Sequence, residues 1–150
     1  MAQRTSRRRI VLWIVTALVL LFIFVQSVLP EAISADESGW VRTHILSPLF
    51  GWLGMRSPSQ NLVRKLAHIF EFAVLSAFLL FCFRGNLLRS LIIGFSAAFL
   101  DESIQLLSGR GAQIRDVWID LIGVAAGALL GFLLYKAIDR SRKNKQNQQQ

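Results

Sequence analysis

Cysteine is nearly absent from this 150-residue chain. Cys82 stands alone inside an apolar run, which excludes an intramolecular disulfide and leaves it as a small buried hydrophobe. Proline is almost as scarce. Pro30, Pro48 and Pro58 all fall in one connection, so the long apolar stretches are free of it. Acidic residues number 9 against 17 basic ones, for a net charge of +8. A pI near 11.1 would fit a nucleic-acid binder if the chain were soluble. No basic face interleaved with aromatics exists outside the flanks of the apolar runs, so a nucleic-acid partner is excluded. What the chain has in quantity is apolar sequence: 53% hydrophobic residues and a mean hydropathy of +0.47, arranged in blocks. That pattern belongs to one compact membrane domain rather than a soluble fold.

Four runs are long enough to span. The first, 10–29, carries no charge, and at ~1.5 Å per residue it crosses a ~30 Å hydrocarbon core. Arg7-Arg8-Arg9 before it resembles a signal-peptide flank, but the run is too long and apolar for a cleaved signal, and an uncleaved anchor is expected. The others are 66–83, 87–107 and 117–135, joined by short links that make them antiparallel neighbours. The expected fold is therefore all-α: an integral membrane four-helix bundle over 10–135, with a basic N-tail (1–9) and a basic, polar C-tail (136–150) that is disordered from Lys143. Between the first two spans, Trp40, Ile45, Leu46, Leu49, Phe50, Trp52 and Leu53 are too apolar for a solvated loop. They predict a partly helical interfacial segment, with a re-entrant one as the alternative.

Positive charge sets the direction. Arg4, Arg7, Arg8, Arg9, Arg84, Arg89 and the C-tail basics outnumber Arg42, Arg56, Arg64, Lys65, Arg110 and Arg115 on the opposite side. Both termini are thus expected in the cytoplasm, with the protein multipass in the cytoplasmic (inner) membrane. Residues 30–64 and 108–116 then face outward.

Against this apolar background stand Glu71, Asp101, Glu102 and Asp120, with His68 and Gln105. A charge at mid-membrane costs roughly 2.5–3.5 kcal/mol on insertion scales, so such residues mark function by default. Helical rise puts His68 and Glu71, then Asp101, Glu102 and Gln105, then Asp120, all within about 10 Å of the outer ends of their spans. Lys65, His68 and Glu71 fall within an arc of about 120°. Asp101 and Gln105 share a face with Gly94, Ala97 and Ala98, and Asp116, Asp120, Gly123, Gly127 and Gly131 lie within about 80°. Glycines at this spacing let helices pack closely, so the aspartates point into the bundle. An outward-opening polar pocket capped by Arg110 and Arg115 is expected.

The string Lys65-Leu66-Ala67-His68-Ile69-Phe70-Glu71-Phe72, then Asp101-Glu102-x-x-Gln105, Arg110, Asp116-x-x-x-Asp120 and Gly123-x-x-x-Gly127, resembles the VanZ-like membrane proteins over residues 62–131. The resemblance implies a multipass envelope protein, an association with teicoplanin-type glycopeptide resistance, and importance for the matched polar residues. It supplies no reaction. Phe72 stands where that family often has Tyr, and Asp120 where Asn is common.

Several chemistries suit such a pocket. His68 beside Glu71 makes a candidate base with its orienting carboxylate, and Asp101 or Glu102 a candidate acid. Lys65, Gln105, Arg110, Arg115, Asp116 and Asp120 are the candidate substrate-binding set, with the guanidinium groups suited to an anionic headgroup. The partners this implies are a membrane lipid, a lipid-linked envelope precursor or a lipoglycopeptide. Ser76, Ser90, Ser96 and Ser103 have no base at the spacing nucleophilic catalysis requires. His68-x-x-Glu71 with Asp101, Glu102 and Asp116 offers hard metal ligands, but a single histidine and no thiolate at that depth argue against zinc, and no metal or cofactor is assigned. Four readings stay open: an amphiphile-binding accessory protein, an intramembrane enzyme, an ion- or proton-coupled transporter working as a homo-oligomer, and plain ion pairs locking the helices.

Overall fold

Apolar runs without internal proline become long helices. In the computed structural model, which describes residues 2–109 and 114–147 (backbone alone at 2–6, 31, 32 and 114), the chain folds as α1 (Ala2–Val28), α2 (Glu31–Val41), a π-helical stretch (Arg42–Leu46), α3 (Ser47–Trp52), α4 (Gln60–Cys82), α5 (Leu87–Leu107) and α6 (Ile114–Asn147). The described residues contain no strand. Four helices are long and apolar enough to cross a membrane, over Arg7–Val28, Gln60–Cys82, Leu87–Leu107 and Arg115–Asn147, which is the expected all-α bundle.

Local chemistry sets the boundaries. α4 starts at Gln60, ahead of its apolar run, because the Ser59 side chain caps it by accepting from the Leu62 amide at 3.3 Å. Asn86 caps α5 in the same way, accepting from the Arg89 amide at 3.0 Å. Between them the chain reverses through Arg84 (φ 56°) and Gly85 (φ 81°). A Cβ on Gly85 would come within 2.6 Å of the Tyr135 ring, so glycine serves both the turn and the packing there. α6 runs to Asn147, which corrects the expected disorder from Lys143: residues 136–147 contain no Gly or Pro, and Lys143 pairs with Asp139 one turn back at 2.8 Å.

α4 and α6 form the closest pair. A Cβ on Gly123 would lie 2.5 Å from the Ile69 carbonyl oxygen; one on Gly127 would strike the Ala73 carbonyl, and one on Gly131 would sit 3.1 Å from the Ala77 Cα. The stripe therefore lets two backbones touch. α1 contributes a narrow seam of Thr16, Val19, Leu20, Ile23 and Ser27, with Ile23 joining Phe72, Leu75, Leu79, Ala97, Ala98 and Val124 in the core. Outward faces stay apolar, as at Leu18, Phe22, Phe99, Leu129 and Leu133, which suits a hydrocarbon surround. The connection between the first two spans is helical from Glu31 to Trp52 and docks on α4, where Gln60 Nε2 donates to the Ala35 carbonyl at 2.5 Å and to Ser38 Oγ at 3.2 Å. His44 is exposed on this segment and stacks on Trp40.

Candidate functional site

The antiparallel order brings one end of each long helix together: the C-terminal ends of α1 and α5 and the N-terminal ends of α4 and α6. Here the glycine stripe has a direct chemical effect. Because Gly123 lies against Ile69, Asp120, one turn earlier on α6, is held beside His68, the neighbour of Ile69 on α4. His68 Nδ1 stands 3.6 Å from Asp120 Oδ1. Asp101 joins them from α5, and His68, Asp101 and Asp120 each present a nitrogen or oxygen within 4.8 Å of the others. Asp101 and Asp120 are fully buried, at 0% and 1% exposure, and Glu102 and Gln105 are nearly so.

Asp101 is held from two sides. Gln105 Nε2, one turn along α5, donates to Oδ2 at 2.8 Å. The Ser27 hydroxyl of α1 donates to Oδ1. The same hydroxyl lies 3.0 Å from the Ile23 carbonyl, and Ser108 Oγ donates to the Ser27 carbonyl at 3.1 Å, so α1 is pinned to the end of α5 at this point. Among the described residues no hydrogen-bond donor reaches either oxygen of Asp120. An acceptor pair buried without a donor is costly.

Beside the cluster, between α1, α2 and α4, lies a cavity of about 180 Å³ lined by Gln26, Glu37, Ser38, Arg64, His68 and Glu71, among others. Gln26 and Glu37 join across its wall, Nε2 to Oε2, at 3.2 Å. His68 therefore belongs to both features, with one side toward the cavity and Nδ1 toward Asp120. Glu71 lines the cavity, and the group beside His68 Nδ1 is Asp120.

The remaining candidates are placed as follows. Lys65 and Asp116 pair at 3.9 Å on the partly exposed rim. Arg115 is exposed and does not line the cavity, whose arginine is Arg64. Arg110 lies outside the described residues. Gln26, Ser27, Glu37, Ser38 and Arg64 are participants that sequence reasoning missed as site residues. Gln26 and Ser27 did leave a signal, as adjacent polar residues in a run otherwise almost wholly apolar.

This geometry falls within a stretch shared with known proteins. The sequence model of the VanZ/LLP1 family matches residues 11–137. The chain belongs to the VanZ/LLP1 family. A curated relative, the uncharacterized membrane protein YwnJ of Bacillus subtilis (strain 168), is 39% identical over 62 residues, covering 41% of this chain and 44% of the relative. The chain thus spans less than half of that relative's length in the match. No solved structure matches. In this VanZ/LLP1 protein the two departures noted in sequence have different settings: Phe72 is wholly buried in the apolar core, whereas Asp120 faces His68 in the polar cluster.

Proposed function

We propose that this VanZ/LLP1 membrane protein binds the polar head of an envelope amphiphile, a phospholipid or lipid-linked precursor, in the cavity between α1, α2 and α4. Both termini are cytoplasmic in this reading, as the basic tails and the Arg84–Arg89 link favour, and the cavity opens at the outer face of the inner membrane. The observation that carries the proposal is a cavity at the end of apolar helices whose largely apolar wall includes Arg64, His68 and Glu71. At about 180 Å³ it is too small for a whole drug-sized ligand, which needs roughly 300 Å³ or more. It suits a headgroup whose acyl chains stay in the surrounding lipid. Arg64 supplies a guanidinium with the geometry for a phosphate oxygen. Capture of such amphiphiles at the outer leaflet would alter access there for an acylated glycopeptide, the physical sense we give to the teicoplanin association.

Native mass spectrometry of the purified protein tests this. The wild type should retain a phosphate-bearing lipid, and Arg64→Ala should retain about ten-fold less, the scale of one lost charge-assisted hydrogen bond. Equal lipid in both proteins, or none in the wild type, would count against the reading. A second reading, acid–base chemistry on the bound head, rests on His68 lining the cavity with Asp120 behind its Nδ1. A cellular headgroup composition that changes with the wild type and not with His68→Ala would select it.

A further inference from the structure

His68, Asp101 and Asp120 come from three different helices, α4, α5 and α6, and converge on one point. We propose that they bind one divalent transition-metal ion of the manganese(II) class. Donors sharing an ion at bonds of ~2.1 Å stand roughly 3–4 Å apart. The His68 Nδ1 to Asp120 Oδ1 distance of 3.6 Å already meets this, and the 4.8 Å spread of the three donors needs a contraction of less than about 1 Å. Side chains projecting inward from facing helices are the usual way a bundle holds a metal.

Two further observations point to a cation. Asp120 is 1% exposed, its oxygens receive no hydrogen bond from the described residues, and it faces the convergence point. An ionised carboxylate buried without a donor is costly, and a cation at the convergence point would give Asp120 a closer counter-charge than the His68 imidazole at 3.6 Å. Asp101, meanwhile, is held by Gln105 and Ser27, the outer-shell support that orients a ligating carboxylate. One imidazole with two carboxylates and no thiolate is a harder donor set than structural zinc sites use, and a more nitrogen-rich one than magnesium takes. The site is independent of what fills the cavity between α1, α2 and α4, since its ligands are protein side chains and its ion can be measured without lipid.

The test is metal uptake by the full-length protein in detergent. After chelator treatment, incubation with manganese(II) and desalting, elemental analysis and the manganese electron paramagnetic resonance spectrum give the stoichiometry and the ligand field. The wild type should hold about one ion per chain, and Asp120→Asn and Asp101→Asn, both near-isosteric, should bind at least ten-fold more weakly. Asp139→Asn, at the far end of α6, should match the wild type. A wild type that retains no manganese overturns the inference even if the cluster variants fail to fold. So does an Asp120→Asn protein that elutes as the wild type does and retains the ion equally.

Discussion

Ser27 is one hydroxyl in an apolar helix, and it meets Asp101 across 74 positions of the chain. Removing it takes away one of the two side-chain donors seen on a fully buried carboxylate. Ser27→Ala should lower stability by about 1–2 kcal/mol, the upper part of the range for hydrogen bonds between membrane helices. Ser96→Ala, an exposed serine of α5 whose hydroxyl donates to the Ile92 carbonyl of its own helix, should cost under about 0.5 kcal/mol. Detergent-unfolding midpoints for the two variants check this, and equal midpoints would remove Ser27 from the architecture of the site. The candidates His68, Glu71, Asp101, Glu102 and Asp120 are legible in sequence because a charge in an apolar run is conspicuous. Serine is not, being common in membrane helices, and only a partner from a distant helix gives this one meaning. The choice between Glu71 and Asp120 as the group beside His68 is hidden for a related reason: helical spacing reports neighbours along α4 but not those across to α6.

At the scale of elements, the α4–α6 contact has little room to yield, because the groups in contact are backbone atoms. Gly127→Ala would set a methyl against the Ala73 carbonyl, which cannot rotate away. We expect a loss of about 1–3 kcal/mol, the usual range for overpacking, read as a shifted detergent-unfolding midpoint. Gly51→Ala, where no atom lies within 4 Å of the added Cβ, should leave that midpoint within about 0.5 kcal/mol. Equal effects would mean that the close approach is not needed. The stripe itself is visible in sequence as a four-residue period of glycine. The helix ends are less so. Hydropathy detects where apolar residues begin and stop, whereas α4 begins at a serine cap and α6 continues through lysines and arginines that form helix readily without being apolar.

For the whole molecule, orientation decides what the polar end can meet. Ser57→Cys, on the exposed connection before α4, should react with a membrane-impermeant maleimide on intact cells. Asn147→Cys, at the far end of α6, should react only after permeabilisation. Native Cys82 is buried against Thr16 and should stay silent in both. The reverse pattern would place the cavity on the cytoplasmic side and rule out an outer-leaflet occupant. Class and span number are readable because the bilayer imposes length and composition directly. The cavity is not, since its walls come from α1, α2 and α4, whose juxtaposition no local pattern encodes. The glycine stripe also bears on how the molecule is made. α4 and α6, the pair that touch backbone to backbone, are separated in the chain by α5, so α4 with His68 and Glu71, and α5 with Asp101 and Glu102, leave the ribosome before their closing partner exists. Of these four spans α6 is made last and carries both the glycines and Asp120, so the polar cluster is completed only when α6 inserts.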